Sequence, residues 1–350
     1  MPEPDVALVL PPLLEGVRSA VEETLFGFLA EERAALAAEH VAFLPLFDEV
    51  DRMVRAGGKR LRPLLCWLGY RAGRGGNEEA IARVAAAIEL FHTFALIHDD
   101  VMDGSPSRRG VPTIHVRMAE QRRGVSDAEP FGASAAVLAG DFAMVLADHL
   151  FVQSGFPPDR LTAALRRYNR MRVEVAVGQF LDLERSGRVV DEAEARRISS
   201  LKSGSYTVEG PLQVGAVLAS APIEVLSALS RYGAPLGDAF QIRDDLEGAS
   251  RGDLDLGQGR PTVLVAKARD LVSESERTFL DDRLGQGSLG DEDRRRILEL
   301  LRGSGALEAA GELANSLIDS ALRHLDPALL GGDVTEALAA VADMLRPTVV

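Results

Sequence analysis

Apolar residues recur along this chain at intervals of three and four over long stretches. Ile81, Val84, Ile88, Phe91, Ala95 and Ile97 form one such stripe, and Val225, Leu226, Leu229, Tyr232, Leu236 and Phe240 form another. This is the spacing of a helix face turned toward a core. The alternation that a strand needs is missing: polar residues interrupt period-two runs, alanine is abundant, and glycine and proline come at helix-length intervals. The pattern predicts an all-α protein, a bundle with its site between facing helices. The longest apolar stretch, Ala133 to Val152, is interrupted by Asp141, Asp148 and His149. It is expected to be a buried helix, with no stable membrane insertion.

Each stripe leads into a group of aspartates, Asp99-Asp100-Val101-Met102-Asp103 after the first and Asp244-Asp245 after the second. On a helix Asp99 and Asp103 share a face and Asp100 lies one step around it, so three carboxylates enter a small volume. Carboxylates crowded in this way repel. A hard divalent cation with oxygen ligands, Mg2+ above all, relieves the repulsion while carrying a phosphate-bearing substrate. A solvated acidic helix end is the other reading of either cluster taken singly. Two such ends, the second preceded by Phe240-Gln241-Ile242-Arg243, suggest two walls of one metal site.

Basic residues indicate what the metal would accompany. Gly57-Gly58-Lys59-Arg60-Leu61-Arg62-Pro63 precedes the first stripe, and Ser107-Arg108-Arg109-Gly110 follows the first cluster. The glycines expose backbone N–H groups and permit close approach, while Lys59, Arg62, Arg108 and Arg109 supply point and bidentate contacts to phosphate oxygens. Taken alone, a basic turn is more often a solvated loop.

With 350 residues, 46% of them apolar and 26% charged, the chain can bury a large core, although it is long for one domain on length alone. No linker divides it, so 1–350 is expected to form a single domain. The Gly/Pro/Ser-rich stretches Gly104 to Pro112, Arg122 to Gly132 and Gly248 to Gly259 read as loops between helices. A net charge of -14 argues against nucleic acid or an anionic membrane surface as a partner. The lone cysteine, Cys66, excludes an internal disulfide and sits in Leu64-Leu65-Cys66-Trp67-Leu68, the setting of a buried structural thiol. Met1-Pro2-Glu3-Pro4-Asp5 lacks the positive region of a signal peptide, and a cytoplasmic location is expected.

Further segments complete an ordered set: Glu89 through Asp103, Gly140-Asp141, Gly178-Gln179-Phe180-Leu181-Asp182, Lys202-Ser203-Gly204, Phe240 through Asp245, and Gly259-Arg260-Pro261-Thr262. Together with the two basic segments, in this order, they make the chain resemble the trans-isoprenyl diphosphate synthases, or polyprenyl synthetases, and in particular the members that make geranylgeranyl diphosphate. The resemblance implies an isoprenoid-synthase bundle of long antiparallel helices around a central active-site cavity, and a homodimer. It implies a Mg2+-dependent prenyltransferase that condenses isopentenyl diphosphate with allylic prenyl diphosphates.

Roles follow from the same resemblance. Asp99, Asp100, Asp103, Asp244 and Asp245 match the residues that hold Mg2+. Gly58, Lys59, Arg62, His92 and Arg109 match those for isopentenyl diphosphate, and Arg108, Lys202, Ser203, Gln241 and Arg260 those for the allylic diphosphate, with Arg260 where the family usually has lysine. A lone histidine on an apolar helix is usually a core residue, but His92 lies seven positions before Asp99, two turns back on the same face. Gln179 and Asp182 either line the cavity wall or pair with neighbouring helices, and His98 is read as structural. Two departures stand out: Gly248 occupies the fifth position of the second motif, and the segment that follows, Ala249 to Leu254, is short and has no lysine, with Arg251 as the candidate substitute. A class I terpene cyclase on the same scaffold and a catalytically weakened partner subunit are the alternatives. The first has no use for an isopentenyl diphosphate site, and the second is not expected to keep both aspartate pairs.

Counted back from Asp99, Ala95, Phe94 and Phe91 lie roughly 6, 7.5 and 12 Å along the helix axis. Ala95 leaves room, and the two phenylalanines are large enough to close a cavity floor. This favours a short product over a long polyprenyl chain, and the resemblance, in which members with an aromatic at the position of Phe94 and a small residue at that of Ala95 often make the C20 product, implies geranylgeranyl diphosphate first and farnesyl diphosphate second. The alternative is that both rings pack against a neighbouring helix.

Overall fold

The computed structural model describes residues 12–251, 260–284 and 290–347. Among these, helix is almost the only regular structure, as the apolar periodicity predicts. The chain groups into two compact units: one from its start to Trp67 with Gly76–Leu161, the other from Leu68–Gly75 with everything from Thr162 onward. No linker-like composition in the sequence signals this division.

The first unit holds α1 (Pro12–Glu39), α2 (Leu44–Arg55), the start of α3 (Leu61–Ala72), α4 (Glu78–Met102), α5 (Ile114–Glu120) and α6 (Ala128–Val152). Its centre is α4, which packs against α6 and α1. Asn77 caps α4 by accepting from the Ala80 N–H at 3.1 Å, satisfying a donor that the first turn leaves open. From Ile81 to Phe91 the helix is buried on nearly every side, with four alanines letting its neighbours approach. Gly140 on α6 is required by the same closeness, since a Cβ there would lie 2.2 Å from the His98 ring. Cys66 is fully buried, and burial pushes its thiol far above the ordinary range, as expected of a structural residue.

Two expectations need correction here. Helix α6 is not buried all round: Leu138, Val145 and Val152 are 58%, 60% and 57% exposed, and their seven-residue spacing puts them on one stripe. Both α4 and α6 are long and apolar enough to cross a membrane, and 72% and 50% of an apolar 18-residue stretch in each are buried within the protein. The expected loop up to Gly132 is also shorter, because α6 already starts at Ala128.

The second unit holds α7 (Pro158–Arg185) from Thr162 on, α8 (Glu192–Ser199), a π-helical segment (Ser200–Glu209), α9 (Gly210–Leu218) and α10 (Ile223–Arg251). It continues through α11 (Val263–Leu271), α12 (Glu274–Arg283), α13 (Asp291–Gly303), α14 (Ala306–Leu322), α15 (Pro327–Leu330) and α16 (Gly332–Met344). Here α10 is central, packed on α14 and on the π-helical segment. Backbone meets backbone there. A Cβ on Gly237 would lie 2.6 Å from the Gly204 carbonyl oxygen, and one on Gly178 would lie 2.2 Å from the Lys202 nitrogen. Tyr232 anchors α10 by donating to the Leu338 carbonyl at 2.7 Å.

Candidate active site

Asp99 and Asp100 occupy the last turn of α4, and Asp103 is its C-cap. The helix ends in a Schellman motif: Gly104 has φ +59° and donates to the Val101 carbonyl at 3.2 Å, and Ser105 donates to the Asp100 carbonyl at 3.0 Å. Three aspartates thus sit at the end of a helix that already carries negative partial charge, with no basic residue in that turn. Asp100 is only 4% exposed. Burial, partly offset by Arg108, pushes its carboxyl up to about 6.

Arg108 reaches this end from a short hairpin in which Ser107–Arg108 pairs with Val111–Pro112. The two connecting residues, Arg109 and Gly110, have φ +52° and +74°, the pattern that bends a two-residue turn with the strand twist. Arg108 donates through Nε to Asp100 at 2.8 Å and through Nη2 to Asp99 at 3.2 Å. The residue matched to an allylic diphosphate contact therefore bridges two of the residues matched to the metal.

Arg62, 8% exposed, approaches His92 with Nη1 at 3.2 Å from Nε2. Arginine has no acceptor, so Nε2 accepts and the imidazole proton is on Nδ1. Burial, with the charges of Arg62, Arg108, Arg109 and Arg60, holds His92 well below the ordinary histidine range. Arg109 is exposed and donates to the Gly57 carbonyl; Lys59 is exposed. A Cβ on Gly58 would lie 3.6 Å from the Arg109 guanidinium. The sequence-predicted set Gly58, Lys59, Arg62, His92 and Arg109 thus lies within the first unit, with Gly58 at Arg109 and Arg62 at His92.

Arg60 sorts differently. It is 4% exposed, has φ +48°, and is held against Glu22 and Glu89. Sequence reading places it in the basic motif without a role, because nothing in Lys59-Arg60-Leu61-Arg62 distinguishes the inward arginine.

In the second unit Lys202 lies on the π-helical segment and donates to Asp182 at 2.7 Å, and Arg260 donates to the same carboxylate oxygen. Asp182 and Arg260 are 5% and 8% exposed. Asp182 therefore pairs with neighbouring elements, one of the two roles left open for it. Ser203 is half-buried on the same π-helical segment, a conformation frequent at functional positions and invisible to apolar periodicity. Gln241 donates to Asp245 at 2.9 Å. Asp244 and Asp245 are not at a helix end, as expected, but inside α10, which continues to Arg251. The expected loop from Gly248 therefore begins as helix. The Arg251 side chain and residues 252–259, including Gly259, lie outside the described residues.

Phe91 is 1% exposed and stacks on Phe94 with ring centroids 5.5 Å apart. Phe94 is half-buried, meets the His98 ring at 4.7 Å, and packs against the core that includes Ala135, Ala136, Ala139 and Ala143 of α6. Ala95 is half-buried beside it.

Among the described residues no three His, Cys, Asp or Glu side chains stand grouped as a metal-binding set. The donor chemistry at the end of α4 nonetheless fits a hard cation: its ligands are all oxygen, they lie at a negative helix terminus, and Asp100 is a buried charge that Arg108 only partly offsets.

A family model described as polyprenyl synthetase matches residues 45–301. A geranylgeranyl diphosphate synthase of Sulfolobus acidocaldarius is 30% identical over 300 residues, covering 83% of this chain and 86% of that protein. A geranylfarnesyl diphosphate synthase of Aeropyrum pernix is 34% identical over 283 residues, covering 77% and 83%. Among solved structures, a geranylgeranyl pyrophosphate synthase of Corynebacterium glutamicum, complexed with isoprenyl diphosphate and magnesium, superposes with a TM-score of 0.89 at 32% identity, covering 95% of this chain and 99% of that one.

Proposed function

The chain belongs to the polyprenyl synthetase family, and on that premise we propose that it is a short-chain trans-prenyl diphosphate synthase. It condenses isopentenyl diphosphate with allylic diphosphates to give geranylgeranyl diphosphate first and farnesyl diphosphate second. The observation that carries this reading is the sorting of cations around His92. Arg60 and Arg108 sit against carboxylates, whereas Arg109 donates to a backbone carbonyl and Lys59 is exposed, and Arg62 lies at the imidazole. Positive charge facing neutral partners suits an incoming diphosphate. A terpene cyclase has no use for this second anion site, and the cyclase and weakened-subunit readings are not favoured.

Asp99, Asp100 and Asp103, and Asp244 with Asp245, would hold Mg2+. When bound, it neutralises the charge that builds on the departing allylic diphosphate. Lys202, Ser203, Gln241 and Arg260 bind that diphosphate, and Arg108 exchanges its carboxylates for phosphate oxygens. Lys59, Arg62 and Arg109 bind isopentenyl diphosphate on the backbone of Gly58 and hold its double bond in place for attack. His92 stays neutral and keeps Arg62 oriented. Apolar helix faces exclude water, which would otherwise capture the allylic cation as an alcohol. Phe91, Phe94 and Ala95 limit the product length.

The protein works as a cytoplasmic homodimer. Support comes from the exposed stripe Leu138, Val145 and Val152 on α6 and from Val177 and Phe180, 43% and 67% exposed on α7, since apolar faces of this kind mark interaction surfaces. Incubating purified protein with Mg2+, labelled isopentenyl diphosphate and each allylic diphosphate tests the activity. Isopentenyl-dependent formation of geranylgeranyl diphosphate is expected. A hydrocarbon formed from a prenyl diphosphate with no isopentenyl diphosphate would establish a cyclase instead.

A further inference from the structure

Between Lys59 and Arg62 the chain turns inward at Arg60. The backbone there adopts φ +48°, in the left-handed region that a side chain other than glycine rarely enters, so the conformation is sustained by what surrounds it. The guanidinium makes three contacts to three helices of the same unit: Nε to Glu22 of α1 at 3.1 Å, Nη1 to Glu89 of α4 at 2.6 Å, and Nη2 to the Val54 carbonyl of α2 at 2.8 Å. Glu89 is itself 6% exposed, and it lies on α4 three residues before His92, on the neighbouring turn of the same helix.

We infer that Arg60 is a positioning residue for isopentenyl diphosphate: it touches no substrate but fixes the loop that carries Gly58, Lys59 and Arg62. This rests on the assignment of those residues to isopentenyl diphosphate above. The physical argument is one of geometry. A planar fork with three fixed directions determines where its own Cα sits and how the backbone is turned there, which a point charge on a flexible stem does not do. Its charge is met by two carboxylates, so it adds little attraction for an anion. Its tie to Glu89 joins the loop bearing Lys59 and Arg62 to the helix bearing His92. Arg109 holds the same loop at the Gly57 carbonyl, so the loop is fastened at both of its ends.

The test is steady-state kinetics of the full chain carrying Arg60→Lys, which keeps the charge and removes the fork, beside Lys59→Ala as a direct-contact control. Arg60→Lys is expected to raise the KM for isopentenyl diphosphate about tenfold while the KM for the allylic substrate stays within about twofold. Should that variant fail to fold, Glu22→Gln, which weakens the partly exposed contact to Arg60 and a surface pair with Arg18, is expected to give the same split at about threefold. A lower thermal midpoint with both KM values unchanged would reveal a merely structural arginine and overturn the inference, as would equal rises in both. If Lys59→Ala also leaves the isopentenyl KM unmoved, the site assignment itself fails and the inference falls with it. If Lys59→Ala raises that KM and Arg60→Lys does not, only the inference fails.

Discussion

Around His92 the cations Arg109 and Lys59 meet a backbone carbonyl and solvent, with Arg62 at the imidazole, whereas around Asp182 the cations Lys202 and Arg260 meet one buried carboxylate. The first region leaves Lys59 and Arg109 toward solvent and sets buried Glu89 and partly exposed Glu22 against Arg60, which holds the loop. The second neutralises its cations in place. An anion entering the first region finds sites directed at it. One entering the second must compete with Asp182, and a competitor with its own charge-neutralising metal does so best. The end of α4 shares this second character, since Arg108 bridges Asp99 and Asp100. On the proposed assignment, the difference separates a substrate bound by protein cations alone from one that would be bound through a metal.

The largest effect is expected where the metal would be held. Asp99→Ala or Asp100→Ala should lower kcat by several powers of ten with the helical signal in circular dichroism retained, since a lost ligand removes stabilisation of the charged transition state. Near-normal turnover in both variants would discard the metal assignment. Next comes the first region: Lys59→Ala or Arg109→Ala should raise the KM for isopentenyl diphosphate roughly 10- to 100-fold, a charge-assisted contact being worth about 1.5–3 kcal/mol. The allylic KM should change far less, and equal changes would erase the distinction between the regions.

Asp182→Asn tests the second region. Lys202 and Arg260 would keep their charges without a countercharge, so stability should fall by about 3–5 kcal/mol in denaturant titrations. In the folded fraction the allylic KM should shift while the isopentenyl KM holds. A fully stable variant would show that the cluster of Asp182, Lys202 and Arg260 is not the neutralising device described.

A smaller effect is expected from pH. The Asp100 carboxyl is raised to about 6 in the folded protein, so between the ordinary aspartate range and pH 6 the folded state binds more protons than the unfolded chain. Stability from this group therefore falls as pH rises through that window and stays lowered above it. Without metal, Asp100→Asn should stabilise the protein at pH 7.5 by about 1–3 kcal/mol and should give no gain near pH 4. An equal effect at both values would contradict the burial argument. For product length the informative change is Phe94→Ala, because Phe91 is fully in the core and its loss would cost about 3–5 kcal/mol. Phe94→Ala should lengthen the product by one isoprene unit, read by chromatography of the dephosphorylated alcohols.

The first region was readable in the sequence because its parts lie in short, dense motifs: Gly57 to Pro63, His92 to Asp103, and Arg108 to Gly110. The long helices were readable because their stripes are regular. What escaped depends on packing between distant segments. Arg60 looks like its basic neighbours until three helices close on it. Asp182 becomes a charge partner only where Gly178 lets α7 approach the backbone at Lys202. The π-helical turn that carries Lys202 has no apolar signature. Helix α10 runs on past Asp245 because Leu246 to Ser250 contains no proline to stop it, and Gly248 alone costs a helix only about 1 kcal/mol. The exposed side of α6 carries Val137, Leu138, Val145 and Val152 beside Glu129, Ser134 and Asp141, so an apolar stripe there is not distinguished from the core by composition alone.

The central claim is that the region around His92 binds isopentenyl diphosphate with protein cations alone. Equilibrium binding of labelled isopentenyl diphosphate to the full chain in the presence of a metal chelator tests it most directly. The account predicts saturable binding without metal, weakened at least tenfold by Arg109→Ala and steadily reduced by added salt, as contacts between fixed cations and a diphosphate require. Binding that appears only when Mg2+ is added, or that Arg109→Ala leaves unchanged, would contradict it.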